Sequence, residues 1–249
     1  AEQIGGSVDG FVQMMNNRAA ELGCTNTVFT NPTGLPDDNQ HTTAHDLALI
    51  MQAAISNDDF RTISGATSYT IPATNVSGGA RNLTSSFAMT NPSSASYYDG
   101  CIGGRESTTT ASGSVLVTAA QRNDTTLIAV VMNGATGQTA SEAITLLDYG
   151  FNNFQLLDLS EDDFHILSGG TVMVPSGATA DDLTTEDTES DSQILRTYSF
   201  GGTQVGTAVL EDTAQEASTD VQENDENMEA AKAFSQSASP VPYFLIGGV

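Results

Sequence analysis

The sequence has no tryptophan and a single lysine, Lys232, so it is very poor in basic residues. Lysine and arginine together number 7 against 31 aspartates and glutamates, which gives a formal net charge of −24 at pH 7. A surface with this charge repels phosphate backbones, and this argues against a nucleic-acid partner. Acidity also keeps many proteins soluble, and by itself it identifies no partner.

Cysteine and histidine are also scarce, and their spacing fits no metal site. Cys24 and Cys101 lie far apart, and we interpret both as small buried apolar residues, although a disulfide between them stays possible. His41 and His45 are four residues apart, but the glutamate of the H-E-x-x-H motif is missing. Thr43, as the N-cap of a helix, would place His41 before that helix. We expect no metal ion and no cofactor.

Three segments have the apolar periodicity of amphipathic helices. The first begins at residue 1 and ends near Gly23, a plausible C-terminal cap. The second follows Thr43, and the third covers residues 139–150 with Glu142 in its capping box. Because these helices alternate with strand signals, residues 1–151 predict an α+β domain.

Strand signals occupy the rest of the chain up to residue 212. Residues 114–120 and 126–132 flank a polar turn and predict an antiparallel hairpin. Residues 152–212 contain short apolar runs separated by glycine pairs and acidic turns, which is typical of a small all-β sandwich. Those runs are residues 154–159, 171–174, 194–200 and 204–210.

The end of the chain divides into two further segments. Residues 213–239 are rich in Glu, Gln, Ser, Ala and Asp and predict an acidic polar stalk. Residues 240–249 turn apolar, and ten residues are too few to span a bilayer, which needs about 20. They form either a packing strand or the start of a truncated membrane anchor, and we favour the anchor because it gives the stalk a purpose.

Four stretches in the first 150 residues carry, in order, the motifs of one enzyme family. They are residues 11–23, 29–35, 41–48 and 99–118. Together they resemble the penicillin-binding D-alanyl-D-alanine carboxypeptidases, serine peptidases of the S11 type. The resemblance implies the C-terminal part of a serine β-lactamase/D,D-peptidase-like domain, with helices on an antiparallel sheet, followed by the β-sandwich.

The resemblance also implies an activity, the removal of the terminal D-alanine from peptidoglycan stem peptides by serine acyl transfer. Family sites combine Ser-x-x-Lys, Ser-x-Asn and Lys-Thr-Gly motifs. The first two do not occur in these 249 residues, since Lys232 has Glu229 three residues before it. We expect them to precede the helix that opens this chain, so we assign no catalytic residue here.

The Lys-Thr-Gly positions are occupied by Arg105, Glu106 and Ser107, which we interpret as degenerate substrate-binding positions. Arg105 keeps the positive charge that faces the substrate's terminal carboxylate. Glu106 would oppose that carboxylate, at a cost of about 4 kcal/mol for like charges about 4 Å apart. Ser107 adds a side chain where glycine lets the peptide approach. Alternatively, Arg105 and Glu106 are an ordinary solvated pair on a strand edge.

Three functions remain open at this point. The chain could be a fragment of a carboxypeptidase that is inactive alone and acts outside the cytoplasmic membrane. It could be a non-catalytic cell-wall-binding or scaffolding protein, or a membrane-tethered adaptor that works through its β-module. The expected partners are the peptidoglycan stem peptide and, through the C-terminal anchor, the membrane of the bacterial cell.

Overall fold

The computed structural model describes residues 1–159, 166–190, 193–211 and 243–245. The chain divides into two compact units. The first contains residues 1–150 together with the strand Tyr243–Leu245, and the second lies within residues 151–242. The predicted stalk falls outside the described residues.

The chain begins with two helices where the sequence predicted one. Helix α1 is Glu2–Gly5 and helix α2 is Val8–Glu21. The break lies at Gly6, whose φ of 73° is left-handed, and at Ser7, whose hydroxyl accepts a hydrogen bond from the first turn of α2. The single-helix prediction was wrong because a glycine and an N-capping serine interrupt the apolar stripe.

Helix α3, Ala44–Ile55, begins where the sequence predicted. The Thr43 hydroxyl accepts a hydrogen bond from the backbone N–H of Asp46 at 3.1 Å, which is an N-cap contact. Its buried apolar side chains follow the helical period and are those of Ala48, Met51 and Ile55.

A short helix and a small hairpin follow α3, and the sequence analysis predicted neither. Helix α4 is Asp58–Gly65, and strands β1, Ser68–Ile71, and β2, Arg81–Thr84, pair antiparallel. Every residue of β2 is exposed. A single turn of 3₁₀-helix, Ala88–Thr90, leads toward the main sheet.

The main sheet of the first unit is built on the predicted hairpin. Strand β3 is Cys101–Thr109, β4 is Gly113–Arg122 and β5 is Thr125–Gly134, all antiparallel. The order across the sheet is the C-terminal strand Tyr243–Leu245, then β5, β4 and β3. The hairpin predicted from residues 114–132 is confirmed, and β3 lies at one end of the sheet.

The two faces of this sheet are used differently. Helix α5, Thr139–Asn153, lies on one of them, where the side chain of Thr139 contacts that of Glu106. Glu106 is paired across the sheet with Leu116, which is paired with Val131, so these side chains share what we call the α5 face. Its fully buried members include Leu116. The opposite side we call the cleft face.

The C-terminal strand pairs parallel with β5, with Tyr243 opposite Ile128 and Leu245 opposite Val130. This is the arrangement of a packing strand, the alternative considered for residues 240–249. No helix in the described ranges is long and apolar enough to cross a membrane. The membrane anchor stays a prediction.

The second unit is all-β and consists of two antiparallel sheets. Its strands are β6 Phe154–Asp158, β7 Ile166–Gly169, β8 Thr171–Pro175, β9 Leu183–Ser190, β10 Gln193–Phe200 and β11 Thr203–Glu211. Strands β6 and β8 form one sheet, and the order in the other is β7-β11-β10-β9. Their shared core is formed by Leu159, Val172, Val174, Tyr198 and Ala208.

Candidate functional site

The turn after α2 is held in one conformation by Asn31. Its side-chain oxygen accepts hydrogen bonds from the Thr33 hydroxyl and the Gly34 N–H, both at 2.9 Å, and its amide donates to the Leu35 carbonyl at 2.9 Å. Gly34 has a φ of +75°, a conformation that favours glycine. The turn is therefore a fixed wall rather than an adaptable loop.

Helix α2 anchors the same turn through Asn16. The Asn16 amide donates to the carbonyl of Phe29 and its oxygen accepts from the N–H of Phe29, both at 2.8 Å. The Asn16 side chain thus hydrogen-bonds both backbone groups of Phe29, as a neighbouring strand would. Asn16 therefore attaches the middle of α2 to the turn.

Asp46 ties α3 to the segment before the turn. Only 1% of its surface is exposed, and its carboxylate accepts hydrogen bonds from the Thr27 hydroxyl at 2.7 Å and the Asn26 N–H at 2.9 Å. Burial by itself would raise the pKa of Asp46, but the hydrogen bonds, including one from His45, outweigh burial and lower that pKa. The buried carboxylate is therefore held in its ionised form.

Strand β3 carries the three residues that the sequence analysis singled out. Arg105 and Ser107 are exposed, whereas Glu106 between them is half-buried, because successive side chains of a strand point to opposite faces. Arg105 is paired across the sheet with Val117 and so belongs to the cleft face. Glu106 turns to the α5 face and accepts a hydrogen bond from the hydroxyl of Thr139.

Glu106 was expected to oppose the substrate's carboxylate. In the structure its own carboxylate accepts a hydrogen bond from the hydroxyl of Thr139, and the expectation stays a prediction. Strand alternation predicts that Glu106 faces away from Arg105 and Ser107, but the motif does not show which of the two faces borders the cleft. Thr139 is completely buried, so its hydroxyl needs a partner in the folded chain, and Glu106 provides it.

Two cavities adjoin β3. The larger, of about 700 Å³, is bounded by the fixed turn and by strand residues, among them Phe29, Pro32, His41, Ser107, Val115 and Met132. The smaller, of about 270 Å³, is lined by Ser86, Phe87, Arg105, Glu106, Ser107 and Thr108. Ser107 borders both cavities, so they meet the same stretch of β3.

The segment that leads into β3 is fixed by an aromatic and ionic contact. Tyr98 is buried, and its hydroxyl donates to the carboxylate of Asp148 on α5 at 2.8 Å. The guanidinium of Arg122 lies 4.7 Å from the centre of the Tyr98 ring. Burial, and then the hydrogen bond to Asp148, raise the pKa of the Tyr98 phenol, which stays protonated.

The two cysteines are free thiols. The Cys24 sulfur lies 3.6 Å from the carbonyl of Asp46, and the Cys101 sulfur lies 3.4 Å from the Thr118 hydroxyl. Burial raises the pKa of both thiols, which makes them poor nucleophiles. Within the described ranges, no three His, Cys, Asp or Glu side chains are grouped so as to hold a metal ion.

Comparison with known proteins gives consistent matches to the first unit. The family model for D-alanyl-D-alanine carboxypeptidase matches residues 1–136, more than half of the chain. The chain is 34% identical over 157 residues to D-alanyl-D-alanine carboxypeptidase DacB2 of Mycobacterium tuberculosis, covering 61% of this chain and 51% of that protein. It is 27% identical over 157 residues to DacF of Bacillus subtilis, covering 62% and 38%. The chain thus spans about half or less of these relatives.

Solved structures give the same result for the fold. A D-alanyl-D-alanine carboxypeptidase from Mycobacterium tuberculosis is 32% identical with a TM-score of 0.53, covering 61% of this chain and 56% of that one. Penicillin binding protein 6B from Escherichia coli is 24% identical with a TM-score of 0.63, covering 85% and 62%. The second likeness concerns the fold alone. Both confirm the predicted α+β fold of D,D-peptidase type.

Proposed function

Because the chain belongs to the D-alanyl-D-alanine carboxypeptidase family, we propose that its first unit binds the peptidoglycan stem peptide along β3. On this proposal the 249 residues supply the substrate-binding side of a serine peptidase site and do not cleave the peptide by themselves. The site works outside the cytoplasmic membrane, where peptidoglycan is found.

The observation that carries this proposal is the exposure of Arg105 and Ser107 on an end strand bordered by two cavities. Among the described strands, β3 pairs only with β4, so its other edge offers backbone N–H and C=O groups to an extended peptide. Strand addition of this kind supplies affinity through the main chain, and neighbouring pockets supply specificity. The fixed turn around Asn31 gives the larger pocket a stable wall.

Binding without cleavage follows from the side chains that the sequence contains. Acyl transfer requires a serine activated by a neighbouring base. Lys232 is the only lysine, and neither Ser-x-x-Lys nor Ser-x-Asn occurs in these 249 residues. Any hydrolysis would need a nucleophile from outside this sequence.

The proposal can be tested by titrating the chain with diacetyl-L-Lys-D-Ala-D-Ala. We expect saturable binding that perturbs the amide resonances of β3 and the turn at residues 29–35, with no release of D-alanine. The diastereomer that ends in L-Ala-L-Ala is the matched control ligand and should bind more weakly. Equal, non-saturable perturbation by both peptides would contradict the proposal.

A non-catalytic wall-binding protein is the second candidate, and the altered residues Arg105, Glu106 and Ser107 favour it over a working enzyme. The two candidates differ in the reading frame upstream of Ala1. An in-frame Ser-x-x-Lys and Ser-x-Asn would support the enzyme, and a stop codon directly before Ala1 would support the wall-binding protein.

A further inference from the structure

We propose that one face of the β1–β2 hairpin binds the N-acetylated sugars of the glycan strand to which the stem peptide is attached. This face, which we call the hairpin face, consists of the side chains of Tyr69, Ile71, Arg81 and Leu83. The inference rests on the proposed function, because it places the sugars beside a peptide bound along β3. It gives a ligand to a surface that has no part in the peptide site described above.

The first argument is the way the hairpin register sorts the side chains. Tyr69 lies opposite Leu83, and Ile71 lies opposite Arg81. Since opposite residues share a face and successive residues alternate between faces, these four side chains lie on the same side of the hairpin. The other side carries only hydroxyl and amide side chains, those of Ser68, Thr70, Asn82 and Thr84. The hairpin therefore has one apolar face with a guanidinium and one uncharged polar face.

The second argument is the exposure of the hairpin face. Tyr69 is 65% exposed and Leu83 is 52% exposed, and adjacent apolar side chains left in water are typical of a binding surface. Arg81 is also exposed, and its side chain has no hydrogen-bond or ion-pair partner among the described residues. The C–H groups of a sugar ring pack against an aromatic ring, and a guanidinium donates to hydroxyl and N-acetyl oxygens. The hairpin face offers both kinds of contact.

The third argument is the local charge. Residues 60–98 contain no aspartate or glutamate, although the chain has 31, and their charged residues are Arg61 and Arg81. The net charge of −24 opposes the approach of a polymer that bears carboxylates, such as the one at the end of each stem peptide. That opposition is weakest at this acid-free surface. A basic protein would instead be attracted to the acidic surfaces elsewhere.

The fourth argument is the connection between the hairpin and the smaller cavity. The backbone N–H of Ser85 donates to the carbonyl of Thr67 at 2.8 Å and closes the base of the hairpin. The next two residues, Ser86 and Phe87, line the cavity that Arg105 also lines. A peptide bound along β3 therefore lies beside the base of the hairpin, and a glycan strand attached to that peptide can extend along the hairpin face.

The test compares two ligands that differ only in the sugars. One is the free pentapeptide L-Ala-D-Glu-L-Lys-D-Ala-D-Ala, and the other is the same pentapeptide attached to the disaccharide N-acetylglucosaminyl-N-acetylmuramic acid. The unaltered chain should bind the disaccharide form more tightly. The amide resonances of β1 and β2 should shift with that form and stay in place with the free pentapeptide, a measurement that needs no variant.

Two substitutions on the hairpin face should remove the preference for the disaccharide form. Tyr69→Ser should weaken its binding by roughly 10-fold, and Leu83→Ser by a few-fold, with little change for the free pentapeptide. The affinity for the free pentapeptide thus checks that each variant is folded. Tyr149→Ser is the matched control, because it removes an exposed tyrosine from α5, and it should change neither affinity.

Three results would overturn the inference. If the chain binds both ligands equally and the hairpin resonances do not shift, the sugars lie elsewhere and the proposed function stands. If the chain binds phosphatidylglycerol vesicles through Tyr69 and shows no preference for the disaccharide form, the hairpin face is a lipid-binding surface. If the unaltered chain binds neither ligand, the proposed function fails and this inference fails with it.

Discussion

Tyr98 donates a hydrogen bond to Asp148 at 2.8 Å and so joins the entry of β3 to helix α5 across 50 residues of sequence. Arg122 contributes to the same contact, with its guanidinium over the Tyr98 ring and 3.4 Å from the carboxylate of Asp148. The segment that sets the start of β3 is therefore attached to the same helix that holds Glu106. Both contacts fix the position of the strand that carries the candidate site.

The first prediction concerns this contact. Tyr98→Phe removes the phenol and should lower the free energy of unfolding of the chain by about 1 kcal/mol, because Asp148 is half-exposed and water can replace the lost donor. Urea denaturation followed by circular dichroism measures the change. Tyr97→Phe removes a phenol from an exposed neighbour and should leave stability unaltered. Equal losses from the two variants would count against a specific role for Tyr98.

The second prediction concerns Asp46. Asp46→Asn should destabilise the chain by about 2 kcal/mol, because it removes the charge from hydrogen bonds made in a buried site. Since the pKa of Asp46 is lower in the folded chain than in the unfolded one, its contribution is present above the unfolded pKa. That contribution is lost as the pH falls through the folded pKa.

Measuring the free energy of unfolding as a function of pH tests the prediction for Asp46. Between neutral pH and acid, the stability difference between the unaltered chain and Asp46→Asn should shrink. Asp38→Asn alters an exposed carboxylate and should show no such convergence. A difference that stays constant down to pH 2 would mean that Asp46 acts through packing alone.

The third prediction follows from the charge of −24. Asp46 is the only Asp or Glu among the buried residues described, so the repulsion acts mainly between surface carboxylates. Salt shortens the range of that repulsion, to about 3 Å at 1 M. The melting temperature should therefore rise between 0.05 and about 1 M sodium chloride. A melting temperature that stays constant or falls over this range would show that repulsion between surface carboxylates does not limit stability.

The fourth prediction is that the chain does not react covalently with penicillin. A fluorescent β-lactam should leave the chain unlabelled on a denaturing gel and its intact mass unchanged, because no lysine stands three residues after a serine. An active relative treated in parallel provides the positive control. Stoichiometric attachment to one serine of this chain would show that another residue serves as the base.

The sequence predicted best the elements whose apolar faces are buried. The hairpin of β4 and β5, helix α3 and helix α5 were all found, because their side chains repeat with the period of the structure they form. In the second unit the runs at residues 171–174 and 194–200 became β8 and β10. Strand β2 and helix α4 were missed because both are short and neither contains a fully buried side chain.

The site was predicted in part. The sequence identified Arg105, Glu106 and Ser107 as one group, and the structure places all three on β3. Strand alternation separates Glu106 from its two neighbours, but which of the faces borders the cleft depends on the register of β3 against β4, which shifts at a bulge near Cys101 and Gly103. Thr139 is 33 residues from Glu106, and no local pattern connects a strand residue to the start of a later helix.

The pairing of Tyr243–Leu245 with β5 has a consequence for the connectivity of the chain. The second unit is an insertion within the first, since the polypeptide leaves the first unit after residue 150 and returns to it at residue 243. A single proteolytic cut between residues 211 and 243 would therefore leave two fragments, and the pairing of Tyr243–Leu245 with β5 would be a non-covalent contact between them.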